Sequence, residues 1–219
     1  MKTLRRSVFT VFMILLCLPG FSLLEAEDQG WMTNSLTINV TSRANLTVSN
    51  ELRYYNILFK QRYLYNWQVG FNFRIFKSFY LGAAYKREID QKLQYKLKED
   101  RFIIEIDWIK HLTRSIDFQC RLNTEFRLFE EHMKQDHIRA RLRLLLQTKL
   151  NIFQIKTIPF IGVEPFYDSL TKEISENRSY AGVLFPAGKH FRLEVGYTRK
   201  DQKNRETVHI LNTGIHLVF

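Results

Sequence analysis

Between Ile116 and Leu128, apolar and polar side chains alternate almost without interruption. Ile116, Phe118, Cys120, Leu122, Phe126 and Leu128 occupy one parity; Asp117, Gln119, Arg121, Asn123, Glu125 and Arg127 occupy the other. A period of two belongs to an extended strand, whose successive side chains point to opposite faces, one toward hydrocarbon and one toward water. The same alternation predicts strands over residues 35–42, 45–55, 63–75, 79–89, 101–111, 116–129, 137–149, 156–167, 177–186, 190–200 and 207–219, with no helical period of any length. Strands of about ten residues, rising about 3.3 Å each and tilted about 45°, span roughly 25 Å, the height of the apolar band of a membrane barrel. The predicted fold is therefore an all-β, transmembrane, antiparallel up-and-down β-barrel of 10 to 12 strands, one domain over residues 27–219.

Connection lengths set an orientation. Short links fall at Ser42-Arg43, Phe76-Lys77-Ser78, Leu112-Thr113-Arg114, Leu150-Asn151-Ile152 and Ala187-Gly188-Lys189, and long polar ones at Asp90 to Asp100, Glu130 to Asp136, Ser169 to Glu176 and Asp201 to Glu206. In such barrels short turns lie on the periplasmic side and long loops outside. Counting back from a periplasmic C-terminus leaves ten strands and a leftover segment, Trp31 to Val40. Either 12 strands close the wall, with residues before Ser35 supplying another, or about ten do and the N-terminal segment sits in the lumen.

The N-terminus reads as a secretory signal peptide over residues 1–26: Lys2, Arg5 and Arg6 precede the apolar run Val8 to Leu18, with cleavage after Ser22 or Ala26. Cys17 lies inside that run behind Leu16, a poor context for lipid attachment. Beyond it no stretch approaches the roughly 18 apolar residues of a transmembrane helix, so a crossing must be made by strands. A single cysteine, Cys120, remains, so no internal disulfide forms.

The chain carries a net charge of +11, and without residues 1–26 it has 30 basic against 21 acidic side chains. Alternation puts ten basic and eight acidic residues on the inward face, nearly neutral. Arg43, Lys77, Lys110, Arg114, Lys149, Lys156 and Lys189 fall at the short turns. A nucleic-acid partner is therefore not expected; basic turns suit anionic lipid headgroups, and outer-membrane lipids are the expected surroundings of a monomer. Tyr65, Tyr85, Phe126 and Tyr197 near one end of the strands, and Phe73, Phe79, Phe191 and Phe219 near the other, suit two aromatic girdles.

The inward parity gathers Arg121, Glu125, Arg127, Arg139, Arg141, Arg143, Glu164, Arg178, Arg192 and Glu194. In a narrow lumen these read first as an ionic packing network, and second as a constriction favouring anions or a general acid–base site. A Ser179–His209 pair is vaguely like the lipid-facing serine and histidine of outer-membrane phospholipases, but about two strand spacings, roughly 10 Å, separate them. His111, His137, His190 and His216 have no metal-ligand spacing, and no Cys-x-x-Cys, phosphate-binding loop or Gly-x-Gly-x-x-Gly block is present. No cofactor is implied and no catalytic residue is assigned.

Arg139-x-Arg141-x-Arg143, Glu164-Pro165-Phe166, Glu176-Asn177-Arg178-Ser179-Tyr180-Ala181-Gly182 and Gly196-Tyr197, in that order and spacing, resemble the domain-of-unknown-function 2490 family of bacterial outer-membrane barrels. The resemblance implies the outer membrane of a Gram-negative bacterium and no particular reaction. Phe219 with Leu217 and Ile215 at alternate positions resembles the C-terminal signal read by the barrel-assembly machinery, which implies a transient partner. The reading is an outer-membrane barrel with a charged, largely plugged lumen, working as a structural or surface-interaction protein or a narrow solute channel. A lipid-modifying hydrolase is the alternative.

Overall fold

The computed structural model describes residues 28–92, 95–130, 134–152 and 155–219; the expected signal peptide and both candidate cleavage points lie outside them. Twelve strands follow one another: β1 (Gln29–Asn39), β2 (Ala44–Tyr54), β3 (Arg62–Arg74), β4 (Phe79–Lys92), β5 (Tyr95–His111), β6 (Ile116–Phe129), β7 (His137–Thr148), β8 (Leu150–Ile152), β9 (Ile155–Asp168), β10 (Glu173–Ala187), β11 (Phe191–Gln202) and β12 (Val208–Val218). Among the described residues all but β8 form a closed 11-strand wall. The short β8 folds back on β9, with Leu150 opposite Thr157, as a hairpin at one rim.

Neighbouring strands are antiparallel except at the seam, where β1 and β12 run parallel from Gln29↔Ile210 to Thr37↔Val218. An odd number of up-and-down strands requires this, because the first and last must point the same way. The segment beginning at Trp31 thus belongs to the wall as its eleventh strand: it neither lies loose in the lumen nor gains a twelfth companion. The seam is tied at its end by the Asn39 N–H donating to the Phe219 carbonyl (2.7 Å) and the Phe219 N–H donating to Thr37 (2.9 Å).

One rim carries the four-residue links 40–43, 75–78 and 112–115 (the turn rim); the other carries 55–61, 169–172 and 203–207, together with Glu130 and residues 134–136 (the loop rim). Strands reach further into the loop rim than the apolar alternation indicates. Most of the expected loop from Asp90 to Asp100 is paired strand, with Glu88 opposite Glu99 and Ile89 opposite Lys98, and Glu173–Glu176 and Asp201–Gln202 likewise belong to β10 and β11. Above the apolar band apolar residues are isolated, Leu97 and Ile174 among them, so the hydrophobic period stops while backbone pairing continues.

The two parities separate as expected. Trp67, Val69, Phe71 and Phe73 on β3, Phe102, Ile104 and Ile106 on β5, Leu142 and Leu146 on β7, and Ile161 and Val163 on β9 are exposed on the outside, while Glu88, Glu99, Arg101, Glu125 and Glu164 are buried inside. A barrel with an apolar core would show the reverse. No helix among the described residues is long and apolar enough to cross a membrane.

Candidate functional site

The interior is held by arginines that share carboxylates. Glu125, 2 % exposed, accepts from Arg139 at 2.7 Å, with Arg141 at 3.6 Å and Arg101 at 3.9 Å. Arg141 stands equally 3.6 Å from Glu164, which also accepts from Arg143 at 2.9 Å and has Arg178 at 4.0 Å. Glu99 receives Arg101 at 2.5 Å and Arg127 at 2.8 Å, and Arg101 continues to Glu88 at 2.6 Å. The network is continuous from β4 to β10 because alternate residues on adjacent strands face one another across the ladder. Burying a charge is tolerable only when it is paired, and sharing leaves none of these carboxylates without a cation.

Aromatic rings stand among the arginines at the centre. Trp31, from the segment left over in the sequence count, has the Arg53 guanidinium 4.0 Å from its ring centroid and that of Arg178 at 5.0 Å. Arg178 also lies 4.4 Å from the Phe166 ring, which in turn meets Arg139 at 4.9 Å and Arg141 at 5.8 Å. The layer Arg53–Trp31–Arg178–Phe166–Arg139 therefore links β2, β1, β10, β9 and β7 across the lumen, with Phe166 completely buried. Guanidinium over a ring face is attractive, the more so where water is excluded.

This layer also explains the sequence block around Arg178. Tyr180 stands opposite Gly162, and a Cβ at 162 would meet the phenol ring at 2.6 Å; Phe160 fills the corresponding space above Gly182 and approaches Gly196. Glycines on inward positions admit the large rings of the adjacent strand.

Two cavities flank the layer. Toward the loop rim lies a vestibule of about 950 Å³ that includes Arg53, Glu88, Arg101, Arg178 and Lys200 in its lining. Toward the turn rim lies one of about 250 Å³, lined by residues including Trp31, Arg141, Arg143, Glu164 and Tyr180.

Of the residues singled out in the sequence, Glu125, Arg127, Arg139, Arg141, Arg143, Glu164 and Arg178 come together in the central network. Arg121 forms a neighbouring group with Asp107 at 2.9 Å and Glu105 at 3.4 Å. Glu194 faces the turn-rim side, 3.0 Å from His216, whose other ring nitrogen meets Ser35 at 2.8 Å. Arg192 is exposed near that rim and joins no ion pair among the described residues. Glu99, Arg101, Glu176 and Lys200 are further interior residues outside the predicted set: Glu99 and Glu176 fall in spans that read as loops, while Arg101 and Lys200 stand at the terminal positions of predicted strands. Lys149, counted as a free turn charge, is held 2.9 Å from Asp117.

Ser179 and His209 do not meet. Both pair in register with Arg199, which stands between them, and His209 Nδ1 bonds the Tyr197 hydroxyl. At the loop rim of the outer face, Arg87 bridges Asp100 at 2.9 Å and Glu130; Lys98 and Arg87 hold the Glu130 carboxyl below the usual carboxylate range. Ile215 and Leu217 lie on β12, and Phe219 ends the chain stacked on His190, ring centroids 4.9 Å apart. Among the described residues no group of three or more potential metal ligands converges.

No curated protein matches the chain significantly. The family model described as "Protein of unknown function (DUF2490)" matches residues 28–210, a span that takes in Trp31, the Arg139–Arg143 repeat, Glu164 to Phe166 and the Arg178–Gly182 block, and so the chain belongs to the DUF2490 family.

Proposed function

We propose that this protein is a monomeric barrel of the Gram-negative outer membrane whose lumen is closed by the Arg53–Trp31–Arg178–Phe166–Arg139 layer, and that it serves as a structural or surface-interaction barrel and not as an open channel. The observation that carries the reading is that closing layer: residues from five strands meet across the interior in ring–guanidinium contact, and the carboxylates beneath are all engaged. An open pore would keep its charged groups at the wall around free water.

The membrane setting is supported by the continuous apolar outer face, with Phe71, Phe102, Ile138 and Ile161 among its exposed residues. A patch of that extent exceeds what a soluble monomer displays. Exposed Arg43, Lys77, Arg114 and Lys189 at the turn rim would lie beside anionic headgroups. Ile215, Leu217 and Phe219 would serve as the recognition strand for the assembly machinery. The separation of Ser179 from His209 by Arg199 weighs against a hydrolase built on that pair.

The test is the gel mobility of detergent-folded protein with and without heating, followed by planar-bilayer conductance of the same sample. A heat-sensitive mobility shift without conductance steps is the expected result. Solubility without detergent and no heat shift would overturn the membrane setting, and discrete steps in the unmodified protein would overturn closure.

A further inference from the structure

Nine cationic and six carboxylate side chains line the vestibule on the loop-rim side of the closing layer, and Glu51, Glu99 and Glu125, just behind the lining, pair Arg53, Arg127 and Arg139. Two of the lining carboxylates are already engaged, Glu88 with Arg101 at 2.6 Å and Glu173 with Lys203, and Asp168 lies 3.3 Å from the His137 ring. Glu176 is saturated as well, with Arg178 on one oxygen at 2.5 Å and the Gln202 amide on the other at 2.8 Å.

Against that background Lys200 stands directly opposite Arg178 across β10 and β11. Like charges facing each other across a ladder destabilise it, and burial sharpens the cost. Glu176, already shared with Arg178 and Gln202, attracts Lys200, while Arg53 and Arg205 add to the repulsion from Arg178, and Arg178 cannot swing away, because its guanidinium is held against Trp31 and Phe166. Neither Lys200 nor Arg205 joins an ion pair among the described residues. Glu206, beside Arg205, is a lining carboxylate in the same position, and Arg178 has Glu176 at 2.5 Å, so the interior cation without a carboxylate of its own is Lys200. A fold that keeps a half-buried, mutually repelling pair in an open cavity departs from the local consistency seen elsewhere in this interior, and such departures cluster at binding sites.

We infer that the vestibule binds a small organic polyanion, one carrying a phosphate or several carboxylates, with its negative oxygens between Lys200, Arg178 and Arg205. Charge-assisted hydrogen bonds to such oxygens are among the strongest available to lysine and arginine. A volume of about 950 Å³ accommodates a ligand of sugar-phosphate size. Tyr55 and Tyr63, ring centroids 4.6 Å apart, both line the cavity and offer a ring surface to the uncharged part. Since the vestibule lies inside the wall, its ligand is a solute and not a bilayer lipid. The site does not depend on the wall being in a membrane: the heat shift reads that question and the titration below reads this one.

Trp31 provides the probe, because it touches Arg178 and the chain has only three tryptophans. In a Trp67→Phe, Trp108→Phe background, fluorescence of the remaining Trp31 is titrated with inorganic pyrophosphate and, separately, citrate at constant ionic strength, alongside calorimetry on the unsubstituted chain. A saturable change with either anion is expected, its apparent Kd rising about tenfold or more in Lys200→Gln, Arg205→Gln, and unchanged in Lys189→Gln at the far rim. Saturation by pyrophosphate alone assigns the site to phosphates, and by citrate alone to polycarboxylates. The proposal is overturned by no saturable response in either measurement, by an equal response to sodium chloride, or by a Kd indifferent to the double substitution. Each variant is first checked for the heat-sensitive mobility of the parent.

Discussion

Tyr180 lies directly across from Gly162, so close that the phenol ring occupies the place a Cβ at residue 162 would take, 2.6 Å away, with the Leu144 carbonyl equally near on the other side. Because one obstacle is backbone, Gly162→Ala cannot be relieved by moving a side chain. It is expected to destabilise the barrel by about 1–3 kcal/mol, the usual cost of overpacking. Tyr180→Ala combined with Gly162→Ala should recover only part of that loss, since the Leu144 contact remains. Denaturant unfolding of detergent-folded protein, followed by the gel shift, measures both; full recovery in the double variant would show that the ring alone sets the constraint.

Glu125 is the hub on which Arg139 and Arg141 depend. Glu125→Gln keeps the shape and removes the charge, leaving Arg139 buried without its carboxylate while Arg141 keeps Glu164 and Arg101 keeps Glu88 and Glu99, and about 3–5 kcal/mol is the expected loss. Glu130→Gln at the exposed loop rim, also an ion-pair partner, should leave the unfolding midpoint in place because solvent screens that pair. Equal midpoints for the two variants would mean that the interior charges are as hydrated as those of the rim.

How much of this was legible in the sequence depends on whether a residue sits in the apolar band. Arg139, Arg141 and Arg143 alternate with Ile138, Ala140, Leu142 and Leu144, so their common face and its inward direction follow from period two alone. Glu99 and Glu176 do the same structural work higher up, in spans where apolar residues are too sparse to mark the opposite face, and there the alternation is silent; Arg101 and Lys200 sit at the edges of those spans. Trp31 is a different case. Its place in the centre depends on β1 closing against β12, a pairing between residues some 180 positions apart, such as Ser35 and His216, that local pattern cannot report. Side chains from β2, β1, β10, β9 and β7 complete the layer, so it could be assembled only once strand order was known.

The parallel seam itself is open to a direct check. Asn34 and Ile215 pair in register across it, both on the outer face. With Cys120→Ser removing the remaining thiol of the barrel, Asn34→Cys, Ile215→Cys is expected to link under a short thiol-specific crosslinker, shifting gel mobility in the folded state only. An N-terminal segment lying in the lumen would leave the two thiols on opposite sides of the wall and unlinked. A twelfth strand inserted between them would double their spacing to roughly 10 Å and favour only a longer reagent.

The closing layer makes the sharpest prediction about transport. Arg178 is in contact with both rings, Trp31 and Phe166, and it lines both cavities, so Arg178→Ala with Trp31→Ala removes the material between them. The parent protein is expected to be silent in planar bilayers and the double variant to show discrete steps. Arg139, Arg141 and Arg143 would then outnumber Glu125 and Glu164 along the new opening, so the steps should favour anions, and adding Arg141→Glu should weaken or reverse that preference. If the folded double variant stays silent, the lumen is held shut by the salt-bridged arginines themselves, and Arg143→Ala in the same background becomes the substitution that opens it.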